Sequence, residues 1–341
     1  MSRTPDYSLL ELASVREGDS VATTLANSVR YAQHAEALGF KRFWLAEHHN
    51  MEGISSSATS VLVGHIAGKT GSIRVGSGGV MLPNHPPLVI AEQFGTLECL
   101  YPGRIDLGLG RAPGTDPVTA RALRRDGLGA EQFPEDVARL QNLLGPLQPG
   151  QPVKAIPGAG TNVPIWLLGS SLFSAQLAAM LGLPYAFASH FAPDQLLDAL
   201  HAYRIGFRPS EHLERPHAMV GVNVVAADTD AEARRLFSSQ QMQSTDMMRG
   251  KRDPLAPPID DIEQYWTALE RPAVEHKLHF SFVGSAATVG RGLAALIEET
   301  EADEVITTVR IFEPNACLRS LEILADVRQL PAAGDASDSS A

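Results

Sequence analysis

Short apolar runs alternate with longer amphipathic stretches along most of the chain. Residues 7–12 read as a strand and residues 20–38 as a helix. Within that helix Val21, Leu25, Val29, Ala32 and Ala35 recur every three or four positions, which places them on one face. Asp19 or Ser20 suits the N-cap, and Gly39 the left-handed position just past the end. The alternation continues with a strand at 42–46, a helix at 57–69, a strand at 73–78, a helix at 87–100 and a strand at 105–109. Farther along, strands are predicted at 165–168, 185–188, 219–226 and 304–309. Helices are predicted at 171–181, 193–205, 230–239, 286–299 and 314–327.

Eight strands joined by helical crossovers predict a parallel α/β sheet, either doubly wound or closed into a (β/α)₈ TIM barrel. Periodicity leaves both open. Residues 112–162 and 241–280 fit the alternation poorly and read as insertions, of the kind that become functional loops or lids in barrels. The stretch 331–341 is small and polar and is expected to be a disordered tail after a single domain spanning 1–330.

Composition narrows the class of function. The chain has 341 residues, 44% hydrophobic and 20% charged, an ordinary globular balance for one large β/α domain. No run of about 18 apolar residues offers a membrane span, and the first residues carry no apolar signal-peptide core. Cys99 and Cys317 form neither a disulfide framework nor a metal-ligand spacing, so a reducing, cytoplasmic setting is expected. A formal charge of −11 disfavours a nucleic-acid partner. The short basic runs at 121–125 and 249–252 read as solvated surface.

Four segments carry candidate chemistry. Arg111 ends an apolar strand and enters the glycine-rich turn 108–114, where a guanidinium fork could meet a phosphate or carboxylate, or simply pair with a surface acid. The glycine spacing there is wrong for a dinucleotide fingerprint, and Pro113 stands where the phosphate-binding helix should be under way. Ser170, Ser171 and Ser174 follow another strand and open a helix, so they could add hydroxyls to a phosphate or serve as the N-cap. Glu47-His48-His49-Asn50 ends the second strand. Adjacent histidines on extended backbone diverge, so no metal site is expected, while one of them could act in acid–base chemistry. Gly76-Ser-Gly-Gly79 could let a flat ligand lie on bare backbone, or could mark an irregular turn. No Gly-x-Ser-x-Gly elbow points to hydrolysis.

Taken in order, these segments resemble the luciferase-like monooxygenase superfamily in its FMN-dependent bacterial branch. The similarity rests on Ala35-Glu-Ala-Leu-Gly-Phe40, Phe43-Trp-Leu-Ala-Glu-His-His49, Val75-Gly-Ser-Gly-Gly-Val-Met-Leu-Pro83, Glu92-Gln-Phe, Pro102-Gly-Arg-Ile-Asp-Leu-Gly-Leu-Gly-Arg111 and Leu168-Gly-Ser-Ser171. It extends over about 7–329, and 51–113 and 163–190 are similar to an enterobacterial branch of luciferase-like proteins.

The resemblance implies a barrel and a set of roles. Arg111 with Ser170, Ser171 and Ser174 would hold the FMN phosphate; Ser170 stands where the light-emitting enzymes have an acid. Gly78-Gly79 occupies the place of a non-proline cis peptide beside the flavin ring. His48 matches the active-site histidine, and Ser189 or His190 would line the same pocket. Gly110 replaces a reactive cysteine of the luciferases, which excludes thiol chemistry there. The segment 241–280 lies where the family has a mobile lid. The function implied is a two-component monooxygenase: reduced FMN from an NAD(P)H-flavin reductase, O2, and an unknown organic substrate, in a homodimer. A flavin or deazaflavin dehydrogenase and a non-catalytic FMN-binding protein are the alternatives.

Overall fold

The barrel wall is assembled from strands that alternate with helices along the chain. The structure is a computed structural model describing residues 5–112, 116–123 and 130–328. Its elements run β1 (Asp6–Glu11), α1 (Val21–Ala37), β2 (Arg42–Leu45), α2 (Thr59–Ala67), β3 (Arg74–Met81), α3 (Pro87–Leu100), β4 (Ile105–Gly110), α4 (Pro117–Ala122) and α5 (Phe133–Leu144). They continue with β5 (Ile165–Gly169), α6 (Leu172–Leu181), β6 (Tyr185–Phe187), α7 (Leu196–Gly206), β7 (Ala218–Ala226), α8 (Asp230–Met248) and α9 (Glu270–Lys277). The last are β8 (Ser281–Gly284), α10 (Ala286–Thr300), β9 (Glu304–Thr308) and α11 (Pro314–Val327).

All strand pairs are parallel, and the order β6-β5-β4-β3-β2-β1-β9-β7, with β6 pairing back onto β7, closes an eight-stranded ring. The choice between open sheet and barrel is thereby settled for the barrel. A ninth strand, β8, was not among the predicted ones. It pairs with Asn223–Ala226, while β6 pairs with Ala218–Val220 on the same edge of β7. The wall therefore forks at β7. Helix α8 also runs to Met248, into the stretch predicted as an insertion, and β3 continues past Gly78 to Met81.

Caps explain several boundaries. Ser20, not Asp19, caps α1 by accepting the Thr23 N–H, and Gly39 takes φ +74° just past its end. Gly182 closes α6 in the left-handed region. The predicted disordered tail at 331–341, like Pro113 and Gly114, lies outside the described residues.

Alternation along the strands separates two apolar layers. Leu9, Phe43, Val75, Leu107 and Leu167 face the helices. Leu10, Trp44, Trp166, Ala186, Met219 and Ile306 point inward and fill the barrel. Beneath them, at the N-terminal ends of the strands, lies a buried ionic floor. Arg42 donates from Nε to Glu304 Oε1 at 2.7 Å, from Nη2 to Glu304 Oε2 at 3.0 Å and from Nη1 to Asp106 Oδ2 at 2.7 Å. Its guanidinium lies 4.7 Å from the Trp166 ring centroid. Burial works to raise the Glu304 carboxyl, but Arg42, His217 and Ser8 outweigh it and hold it at about 2. With the floor plugged, ligand space is left only toward the C-terminal mouth. No helix among the described residues is long and apolar enough to cross a membrane.

Candidate active site

A cavity of about 510 Å³ opens at the C-terminal ends of the strands, where barrel enzymes place their chemistry. Leu10, Trp44, Leu168, Ala186 and Ile306 form its apolar floor. Nine site residues predicted from sequence line it: His48, Gly78, Gly79, Gly110, Arg111, Ser170, Ser171, Ser174 and His190. Ser189 does not. It is fully buried and donates to the Gly221 carbonyl at 2.6 Å, so of that pair His190 is the pocket residue.

Arg111 leaves β4 half-buried, its guanidinium 4.1 Å from the Phe173 ring centroid. No carboxylate among the described residues pairs with it, which removes the surface salt-bridge alternative. Phe173 lies in the first turn of α6, between Ser171 and Ser174. Ser171 occupies the N-cap position, yet its hydroxyl makes no capping hydrogen bond. The capping alternative therefore leaves that hydroxyl unexplained, and the first N–H of the helix, that of Leu172, is met instead by Gln195 Oε1 at 3.3 Å. Gly169 permits the arrangement: a Cβ there would lie 2.1 Å from Ser174 Oγ.

The glycines of β3 answer to crowding on the barrel side. The Gly78–Gly79 peptide is cis. A Cβ at Gly78 would come within 2.7 Å of Leu10 and 3.1 Å of Trp44, and one at Gly79 within 2.8 Å of the Gly108 carbonyl. Their absence of side chains is thus required by packing, and it leaves bare backbone on the cavity wall.

The three consecutive polar residues after β2 divide as extended backbone requires. His48 faces the cavity, held by its backbone N–H donating to Ser56 O at 3.0 Å. His49 turns away and donates from Nε2 to Glu47 Oε1 at 2.9 Å, and His85 donates to the same oxygen at 2.8 Å. Burial works against the Glu47 carboxylate, but hydrogen bonds and charge from His85 and His49 hold it below the ordinary range. These three groups have the proximity of a metal triad.

Burial, aided by Arg310, lowers His48 to about 4. His190, buried and near both Arg310 and His48, is lowered to about 3. Both rings are neutral at pH 7, and the Nδ1 of each is buried without a partner. Asn223 fixes the backbone here by donating to His190 O at 2.7 Å, while accepting from Gln240 Nε2 at 2.8 Å and Thr308 Oγ1 at 2.6 Å.

Several lining groups escaped the sequence reading. Arg310 follows β9, Lys277 ends α9, and Gln240, Gln243 and Ser244 come from α8. Lys251 and Arg252, predicted as solvated surface, stand at the exposed rim of the cavity. Only Arg310 carried a usable signal, an arginine just past a barrel strand as Arg111 is. The others project from the stretch predicted as a lid, or in the case of Gln240 from the residue just before it, where no alternation indicates facing.

An unpaired arginine, uncommitted serine hydroxyls at a helix start, bare strand backbone and two orphaned ring nitrogens fit a flat cofactor with an anionic end. A family model described as luciferase-like monooxygenase matches residues 8–304. A luciferase-like monooxygenase of Escherichia coli (strain K12) is 52% identical over 328 residues, 96% of this chain and 98% of the relative. An N-acetyl-S-alkylcysteine monooxygenase of Bacillus subtilis (strain 168) is 36% identical over 258 residues, 72% of this chain and 75% of the relative. Among solved structures, apo-MsnO8 superimposes with a TM-score of 0.89 at 35% identity, covering 96% of this chain and 99% of the other.

Proposed function

The chain belongs to the luciferase-like monooxygenase family, and on that premise we propose that it works with FMN as a two-component monooxygenase. Reduced FMN would come from a separate NAD(P)H-flavin reductase, and the oxidised product would be a small organic molecule. The observation that carries the reading is Arg111: an unpaired guanidinium set against Ser170, Ser171, Ser174 and the start of α6, suited to the cofactor phosphate.

When bound in its reduced form, the flavin supplies the means of activating O2. The chain supplies the surroundings. Arg111 and the three serines fix the phosphate end; Gly78 and Gly79 offer backbone to a ring. His48, neutral at pH 7, lines the cavity and can accept a proton from the reacting atoms and return it. Leu10, Trp44, Leu168, Ala186 and Ile306 keep the floor dry, as oxygen chemistry in competition with water requires. The substrate named for the Bacillus relative makes a thioether the first reacting group to try.

The test is oxygen bookkeeping. With FMN, an added flavin reductase, NADH and ¹⁸O2, the product of a thioether substrate should carry the label. Oxidation without label incorporation would replace this reading with a dehydrogenase. Failure to bind FMN in either redox state would remove the flavin assignment itself.

A further inference from the structure

The cavity holds a second set of cations on the wall opposite Arg111. In the closed ring, β9 stands four strands from β4 in both directions, so Arg310 and Arg111 start from opposite sides of the mouth. Arg310 reaches the cavity from β9, and Lys277 reaches it from the end of α9.

Neither has a counter-charge. Arg310 donates from Nη2 to Gln243 Oε1, and its Nε is buried with no partner. Glu11 is the one acid that acts on it electrostatically, and the Glu11 carboxylate is already engaged by the Ala13 N–H at 2.8 Å and the Ser28 hydroxyl at 3.1 Å. Lys277 is half-buried and makes no ion pair or hydrogen bond among the described residues. Burial, with the mutual repulsion of the two cations, lowers Lys277 below its ordinary range, and burial brings Arg310 to about 10. Among the lining residues the one carboxylate is Asp253, at the exposed rim. The other titratable groups of the cavity are His48 and His190, which are neutral, and the cations Arg111, Lys251 and Arg252, the last two at the exposed rim.

Two desolvated cations without an anion are unfavourable in an empty or neutrally occupied pocket. A carboxylate would answer both, accepting from the guanidinium fork and from the ammonium. We propose that Arg310 and Lys277, with Gln243 orienting the guanidinium, form the subsite for a carboxylate on the organic substrate. The acceptor substrates of this enzyme are then small organic acids, bound with the acid group at the β9 wall. This assignment rests on the flavin reading for its choice of substrate over cofactor.

The probes are 3-phenylpropanoate and its neutral counterpart 3-phenylpropanamide, titrated calorimetrically into the whole protein with and without FMN. The acid should bind about tenfold or more tightly than the amide, as two charge-assisted hydrogen bonds would give. Arg310→Met and Lys277→Met should each erase that preference while leaving amide and FMN affinity unchanged. Arg310→Lys should retain part of it. Circular dichroism and thermal melting establish that each variant is folded. Equal affinity for acid and amide, no measurable binding of the acid, or an unaltered preference in both Met variants overturns the proposal. So does an Arg310→Met protein that loses FMN affinity while keeping its preference for the acid. If FMN binds nowhere, the proposed function falls, and the FMN-free titrations still read the subsite.

Discussion

Gly221 and His190 are fitted to each other: a Cβ at position 221 would lie 2.7 Å from the His190 Nδ1 and 3.1 Å from the Phe187 carbonyl oxygen. The missing side chain on β7 is the space in which the imidazole lies. Gly221→Ala should therefore push the ring into the cavity at an overpacking cost of about 1–3 kcal/mol. Pairing it with His190→Ala should return much of that loss. Strictly additive unfolding free energies in the double-mutant cycle would show that the two positions do not meet.

Arg111→Ala should weaken FMN binding by roughly 1.5–3 kcal/mol, the range for one charge-assisted contact. Flavin fluorescence quenching measures this directly. Ser171→Ala should have a smaller effect in the same direction and little effect on stability, because its hydroxyl caps nothing. A large fall in melting temperature in Ser171→Ala would show that the serine serves the helix after all.

The two depressed histidines make stability depend on pH. In the unfolded chain each titrates near 6.5, and in the fold His48 titrates at about 4 and His190 at about 3. The unfolded state thus binds more protons between those values, so stability is fully present above about 6.5 and falls as the pH drops toward 4. For His48 the loss reaches at most about 3.5 kcal/mol, because each tenfold weakening of proton affinity in the fold is worth about 1.4 kcal/mol. Urea midpoints of the flavin-free protein at pH 7.5, 5.5 and 4.5 should decline, and His48→Gln should flatten the decline. Identical pH slopes for the two proteins would contradict a buried, neutral His48.

Removing the cation at the barrel floor should damage the whole fold. Arg42→Met would leave Glu304 and Asp106 buried without their shared guanidinium, at about 3–5 kcal/mol. Chemical denaturation reads the loss. A change below about 1 kcal/mol would mean that Arg74, which donates from Nε to Asp106 Oδ1 at 3.0 Å, alone suffices for Asp106, and that His217 and Ser8 suffice for Glu304.

Much of this barrel was legible because most of its wall strands hold a short apolar core bounded by turn signals. Helices α3 and α11 match their predicted bounds, since proline opens each and the apolar period is unbroken. The site was legible where chemistry follows a strand directly, as with His48 after β2, Arg111 after β4 and His190 after β6. It failed in the stretch between β7 and β9. There Gln240 and Gln243 sit on a helix of low apolar contrast, and β8 is four residues long with no alternation to read. The same limit hid Lys277. His85 was invisible for another reason: its role comes from Glu47, a carboxylate just past β2, and no spacing within one segment encodes that.

The fork at β7 bears on how far the chain can be shortened. β6 offers three residues to a strand of nine, and the rest of that edge would expose unpaired N–H and C=O groups to any passing strand. β8 closes most of the gap by pairing with Asn223–Ala226. A deletion that looked like trimming a surface loop between α8 and α10 would thus strip the wall of its upper course. It would produce a sticky, self-associating protein, and loss of the pocket would be the lesser part of the damage.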